Sequence, residues 1–503
     1  MKVKLIKICI IGILITAAYT NIAQSNNQST QLKAVNITPN DYFFELQWNL
    51  ENTGQSNPYS GEGTPDCDID ASEAWVMETG NSDIIIAVID SGIDYNHPDL
   101  AENIWINKDE IPDNDIDDDN NGYIDDVRGW NFLDDNNEVE DIAGHGTACA
   151  GVAAAVANNE IGIAGVCWNC QIMTVIADTG FDDCPEDAVA DGIKYAADNG
   201  ADVISLSIGT YSYSDLVLDA VNYAYNKGIV LVGAVGNEGK DTKSYPAGYD
   251  NVIAVGATDN TDTRMDAVRW GIIHGISDYG DWVDIAAPGL DIYVTLPTYR
   301  VSFNDLLGVS TNYDYMSGTS FSCPQVSGLA ALMLSRNQDL TPDQVKQIIC
   351  SNVDPYDSDV YIGTGRINAF KALSAANTPP SVPEVDGPDE GEVGVEYTFY
   401  ATSSDIEGDQ IWYAFDWGIK DQIIVWQGGP YDSGETVDSS IVWSEEGTYQ
   451  VRVKAKDIYD IESDWSEPIE VTMPKPKSHL NPFLLFLENH PYLFPLFQRI
   501  LGI

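Results

Sequence analysis

Three short stretches of the chain set a carboxylate, an imidazole and a hydroxyl in surroundings that could make them reactive. The apolar run 84–89 leads directly into Asp90-Ser-Gly-Ile-Asp94. A carboxylate at the carboxyl end of a buried strand stands where α/β proteins gather functional groups, although an Asp there can also do no more than cap a turn. In Gly144-His-Gly-Thr-Ala-Cys-Ala-Gly151, glycines on either side of His145 let other groups approach the ring. His97, His145, His274, His479 and His490 are the chain's five histidines, so the choice of a general base is narrow, with a structural His in a Gly-rich turn as the alternative. Ser317-Gly-Thr-Ser-Phe-Ser-Cys-Pro-Gln-Val-Ser-Gly328 leads into a helix over 329–337 and places Ser320 at a helix N-terminus. Backbone N–H groups and the macrodipole favour a developing anion there, and an ordinary N-cap serine would occupy the same place. A base oriented by a carboxylate and set beside a hydroxyl is the equipment of nucleophilic catalysis.

A different chemistry is written between residues 109 and 126, which hold nine acidic residues. Within them, Asp117-Asp-Asp-Asn-Asn-Gly-Tyr-Ile-Asp125 alternates oxygen ligands ahead of a Gly turn, as an EF-hand loop does. The expected calcium ligands are Asp117, Asp119, Asn121, the Tyr123 carbonyl and Asp125. Arg128 stands where that loop carries its bidentate Glu, so the set needs another donor, with Asp113 and Asp126 the candidates. A solvated acidic loop is the alternative, but charge this dense around a tight turn repels itself without a cation.

In the order Asp90, His145, Ser320, the three reactive stretches resemble the subtilisin-like serine proteases, the subtilases. The matching words are Val88-Ile-Asp-Ser-Gly-Ile-Asp94, Gly144-His-Gly-Thr147 and Ser317-Gly-Thr-Ser320. Between them lie Ser207-Ile-Gly209, Gly236-Asn-Glu-Gly239, Tyr245-Pro-Ala247 and Val252-Ile-Ala-Val-Gly-Ala257, and the resemblance extends over 44–375. It implies a serine endopeptidase in which Ser320 attacks the scissile carbonyl, His145 takes its proton and Asp90 orients the imidazole. It also implies an oxyanion hole from the Asn237 side chain and the Ser320 N–H. Ser207, Ile208 and Gly209, with Gly233, Ala234, Val235 and Gly236, would line the pocket and pair with the substrate backbone, which suits broad specificity. A second calcium site is implied at Asn159, Ile161 and Ile163, with Asp99. The sequence departs from the family at Ala148, where a second His is usual, and at Cys149 and Cys323, which replace small apolar residues. The segment 24–41 is shorter than the prodomain such enzymes usually carry.

These side chains need a scaffold to hold them. Runs 84–89, 203–206, 229–232 and 252–255 are apolar and β-branched without polar alternation, as strands covered on both faces are. Helical spacing over 186–199 and 215–226 lies between them, the latter closing on Lys227-Gly228. The expected fold is α/β, a doubly wound parallel sheet over 42–376. A Thr/Pro/Ser linker, 377–384, separates it from 385–473, where strand signals at 396–400, 411–415 and 448–453 predict a small β-sandwich. The words Tyr413-Ala-Phe-Asp-Trp-Gly418 and Val442-Trp-Ser-Glu-Glu-Gly-Thr-Tyr-Gln-Val-Arg-Val453 resemble a PKD or immunoglobulin-like module, without the Asp-Gly usual after Trp-Gly. Such a module is either a passive spacer or a binder of insoluble substrate.

Composition narrows the partners. Against 24 Lys and Arg stand 79 Asp and Glu, a formal charge of −55, which repels nucleic acid and anionic lipid. Lys2, Lys4 and Lys7 precede the apolar run 8–18, and 1–23 reads as an export signal, a retained anchor being the alternative. A secreted protein, acting on proteins or peptides as a monomer, is expected. In an oxidising compartment some cysteines should pair, with Cys167, Cys170 and Cys184 close enough in sequence to be candidates. The Phe- and Leu-rich tail 474–503 is broken by prolines, and membrane association through it is left open.

Overall fold

The computed structural model describes residues 36–180, 184–266 and 275–473. The expected signal segment 1–23 and the tail 474–503 lie outside the described residues, as do His274, His479 and His490. The chain divides into two compact units between Ala376 and Asn377.

The first unit is built on a nine-stranded sheet. Its strands are β1 (Ile85–Asp90), β2 (Gly129–Asn131), β3 (Gln171–Ile176), β4 (Val203–Leu206), β5 (Val230–Ala234), β6 (Ile253–Thr258) and β7 (Ile285–Pro288), with the short β8 (Val353–Asp354) and β9 (Arg366–Ile367). Their order is β8-β9-β7-β6-β5-β4-β1-β3-β2, parallel throughout except where β8 meets β9. Side chains alternate between two cores: Ile86, Val88, Val230 and Val232 face one, while Ala87, Ile89, Leu231 and Ile204 face the other. That two-sided burial is why these strands read as unbroken apolar runs. Helices α1 (His145–Ala154) and α4 (Thr319–Arg336) contribute to the first core, α2 (Glu186–Asp198) and α3 (Asp215–Asn226) to the second. This is the doubly wound α/β architecture. Helix α3 begins at Ser214, whose hydroxyl accepts from Val217 N, and stops at Gly228, which takes the positive φ of +90° that a side chain would resist.

The second unit holds two antiparallel sheets. One orders β10 (Glu384–Asp386), β11 (Glu396–Thr402) and β14 (Thr436–Val442). The other orders β13 (Trp426–Tyr431), β12 (Ile411–Asp416), β15 (Gly447–Asp457) and β16 (Ile469–Met473). Both feed one core, with Phe399 and Val437 from the first sheet against Tyr413, Phe415, Val451 and Val471 from the second. Among the described residues no helix is long and apolar enough to cross a membrane.

Candidate active site

The carboxyl ends of three adjacent strands converge. β1 ends on Asp90, β4 runs into Ser207 and β5 runs into Gly236 and Asn237, and these strands are neighbours in the order β5-β4-β1. Helices α1 and α4 present their N-terminal ends to the same place, bringing His145 as the first residue of α1 and Ser320 as the second of α4.

Asp90 is fully buried, and its carboxylate accepts from His145 Nδ1 at 2.8 and 2.9 Å through its two oxygens. Ser91 N donates to the same group at 2.7 Å. A donated Nδ1–H leaves Nε2 as the basic nitrogen of a neutral ring. Burial works against charge on the imidazole, but the Asp90 carboxylate overrides it and holds the pKa of His145 well above the ordinary value. Phe321 and Phe303 pack against the ring, with centroids 5.8 and 6.0 Å away.

Asp141, four residues before His145, belongs to none of the sequence motifs but organises this corner. It is 1 % exposed and accepts from Ser91 Oγ (2.9 Å), Ala143 N (3.0 Å), Gly144 N (2.8 Å), Thr147 N (2.9 Å) and Thr147 Oγ1 (2.6 Å). Ser91 Oγ in turn accepts from Gly146 N at 3.0 Å. The carboxylate thus satisfies the open N–H groups at the start of α1 and ties that start to the residue after Asp90.

Ser320 sits where the helix has been altered to suit it. The expected helix over 329–337 starts ten residues earlier, at Thr319, and runs through Pro324. Proline has no N–H to give to the carbonyl four residues back, which is that of Ser320. That carbonyl accepts instead from Ser207 Oγ at 2.8 Å and from the Cys149 thiol at 3.4 Å. Cys149 also lies 3.9 Å from His145 Nδ1, so one buried sulfur touches both the imidazole and the backbone of Ser320. Burial keeps the thiols protonated, raising Cys149 and pushing Cys323 up to about 12. In this conformation Ser320 Oγ donates to Ser207 O at 3.4 Å rather than to His145. Such long contacts in a substrate-free enzyme tighten on binding.

Asn237 is pinned from both sides. Its Oδ1 accepts from Thr319 N at 2.8 Å, and its carbonyl accepts from Gly275 N and Ile276 N at 3.0 and 3.1 Å. With Oδ1 taken, the amide nitrogen is the group left for a ligand beside Ser320 N. A cavity of about 320 Å³ opens there, lined by Ser207, Ile208, Gly209, Ala234, Gly236, Asn237 and Ser320 among others. Gly233 and Val235, expected in this lining, pack behind it: a Cβ on Gly233 would come within 2.9 Å of the Ala247 backbone, and Val235 is buried against Ala247, Ala254 and Val283. His97 is fully buried, with Nε2 3.2 Å from Asn312 O and Nδ1 accepting from Asp99 N, which makes it structural.

The model of the subtilase family, a serine peptidase family, matches residues 81–379. The chain belongs to the subtilase family. The thermophilic serine proteinase of Bacillus sp. strain AK1 is 36% identical over 362 residues, 70% of this chain and 78% of that protein. Thermitase of Thermoactinomyces vulgaris is 36% identical over 67% of this chain and 99% of its own length. A solved protease structure from Pseudoalteromonas arctica PAMC 21717 superposes with a TM-score of 0.51 at 28% identity, covering 68% of this chain and all of that one. This subtilase is accordingly a subtilisin-like serine endopeptidase.

The acidic loop of the subtilase divides its carboxylates. Glu110, Asp119 and Asp126 bring oxygens within 4.8 Å of one another. Asn121 Nδ2 donates to Asp119 and Asp126, each at 3.0 Å. Glu110 was missed because it precedes the alternating motif, and only the fold returns it there. Asp117 turns to Asn121 N and Gly122 N, and Asp125 to Asn114 N and Asp115 N, so both brace turns. Asp113 lines a separate groove with Asp125 and Asp134, while the Tyr123 ring packs on Trp130, Phe132 and Tyr195. Among the described residues no lysine or arginine pairs with Glu110, Asp119 or Asp126, and burial raises the pKa of Asp126. Three hard oxygen donors in one buried corner fit a divalent cation.

At the second expected site, Asp99 is fully buried and accepts from Asn159 Nδ2 (2.9 Å) and Ile163 N (2.8 Å), while Ile161 N bonds Asn159 Oδ1 at 2.7 Å. Burial, with Asp41 adding, pushes Asp99 up to about 7. Asp41, outside the expected set, is a further buried carboxylate there, accepting from Asn158 N at 2.7 Å. Cys167 and Cys170 form a disulfide.

Proposed function

We propose that this subtilase is an exported, calcium-dependent endopeptidase of broad specificity working through Asp90, His145 and Ser320. The observation that carries the reading is the His145 imidazole, fixed through Nδ1 by a buried carboxylate and set against the Ser320 backbone through Cys149. Ser320 Oγ leaves its contact with Ser207 O, gives its proton to His145 Nε2 and attacks the scissile carbonyl carbon. Asn237 Nδ2 and Ser320 N donate to the oxyanion. The imidazolium then protonates the leaving amine, and water, deprotonated by the same ring, hydrolyses the acyl-serine. Extended substrate backbone lies along 207–209 and 234–236, so recognition uses groups that every peptide has, which favours many sequences.

Calcium would be held by Glu110, Asp119 and Asp126, and by Asp41, Asp99 and Asn159 with the 161 and 163 carbonyls. It supplies positive charge that lets these buried carboxylates stay ionised and their loops stay closed. The acidic, export-signalled chain is read as a secreted monomer whose second unit is a PKD- or immunoglobulin-like spacer. The test is casein cleavage by the secreted chain with calcium, with EDTA, with a serine-directed inhibitor and as Ser320→Ala. Cleavage lost with the inhibitor and in the variant, and decaying in EDTA, is the expected outcome. A folded, calcium-loaded chain that cuts nothing would overturn the reading and turn attention to binding by the second unit.

A further inference from the structure

The second unit holds a group of carboxylates that the catalytic reading does not use. Asp405 and Asp409 lie in the loop between β11 and β12, and Asp457 is the last residue of β15. Oxygens from the three come within 4.8 Å of one another. Asp405 is 6 % exposed and Asp457 fully buried, while Asp409 is half-buried at the mouth. Asp405 Oδ1 is committed to Glu407 N and Asp409 N at 3.0 and 3.1 Å. This leaves Oδ2 buried and accepting from nothing. A buried carboxylate oxygen without a donor is costly, and native folds rarely tolerate one.

Among the described residues no lysine or arginine pairs with Asp405 or Asp457. Asp457 Oδ1 accepts from Tyr459 N and Ile461 N, and its Oδ2 from Asn377 Nδ2 at 2.5 Å. The nearby cations of β15 are turned elsewhere: Arg452 to Asp416, Lys454 to Glu462 and Lys456 to Asp460. What would satisfy Oδ2 and the crowded charge together is a hard cation.

We infer that Asp405, Asp409 and Asp457 form a divalent-cation site, for calcium, that ties the 403–410 loop to the end of β15. An all-oxygen set with no imidazole or thiolate selects calcium over zinc or copper. The ion would also steady the first residues of this unit, because Asn377 reaches Asp457 and Thr378 donates to the Glu407 carboxylate through both N and Oγ1. The site is thus built into the segment by which the chain enters the second unit. Its existence does not depend on the proteolytic reading.

The experiment uses the full chain as Ser320→Ala, which does not digest itself, and counts bound calcium by equilibrium dialysis. The same chain carrying Asp409→Asn or Asp405→Asn is compared with it, the catalytic unit's carboxylates being untouched. Each variant should bind one fewer calcium per chain, and calcium should no longer protect 377–410, which carries five glutamates and no lysine or arginine, from added glutamyl endopeptidase. Asp409 is half-buried, so Asp409→Asn decides the matter if Asp405→Asn does not fold. An unchanged calcium count in a variant with parental circular dichroism overturns the site.

Discussion

Burial and charge pull the His145 imidazole in opposite directions, and Asp90 decides the contest. Because its folded pKa is raised, the ring is protonated, and useless as a base, up to a higher pH than a free histidine. Activity should therefore rise as pH climbs through that raised value. In Asp90→Asn the charge that holds the proton is gone, so the acid limb of kcat/KM should move to lower pH. At the same time kcat should fall by about 10⁴, since the amide no longer fixes the tautomer. A pH series on a chromogenic peptide reads both effects, and an acid limb that stays in place would mean another group sets it. Asn237→Ala should lower kcat by about 10²–10³ with KM little changed, the loss known for a donor of this kind in subtilisin. A variant that turns over casein at the parental rate would remove Asn237 from the oxyanion hole. Asp90, His145, Ser320 and Asn237 stood out in the sequence because each sits inside a contiguous word. Asp141, Glu110 and Asp41 did not, because isolated acids gain meaning only from what the fold brings to them.

At the scale of elements, the parallel strands were legible because burial on both faces leaves only apolar β-branched runs, and β4 falls on the expected 203–206. Helix α4 was half legible. Pro324 made the sequence look non-helical before 329, whereas the structure carries the helix through it by giving the freed Ser320 carbonyl two outside donors. That arrangement makes Ser207 and Cys149 share one acceptor. Ser207→Ala leaves the thiol as donor and Cys149→Ala leaves the hydroxyl, so each alone should cost about 1 kcal/mol of stability or less. The double variant leaves a buried carbonyl unsatisfied, and it should lose more than the sum of the two by about 1 kcal/mol or more. Urea unfolding on the Ser320→Ala background measures the cycle. Strict additivity would show that the Ser320 carbonyl finds its partner elsewhere. The acidic loop was legible as a loop that wants a cation, but which carboxylates meet depended on where its turns fall.

Over the whole molecule the dominant fact is the formal charge of −55. Many of these acids are partnered only by backbone N–H groups, as Asp117 and Asp125 are, so the folded state concentrates negative charge that the unfolded chain would spread. Self-repulsion of this kind acts over a Debye length, roughly 10 Å at about 0.1 M salt and roughly 3 Å at about 1 M. Raising salt across that range should therefore stabilise the protein. Calcium acts on the same repulsion at named places, by neutralising buried carboxylates outright, so the two effects should overlap. The expected outcome is a thermal midpoint of the Ser320→Ala chain that climbs with NaCl in EDTA and climbs less steeply in calcium. Screening does not distinguish monovalent cations, so KCl should reproduce the NaCl curve. A rise with sodium alone would instead indicate a bound ion. A flat response to both salts would mean that the charges are already spaced beyond each other's reach, and calcium would then have to stabilise the fold through loop closure alone.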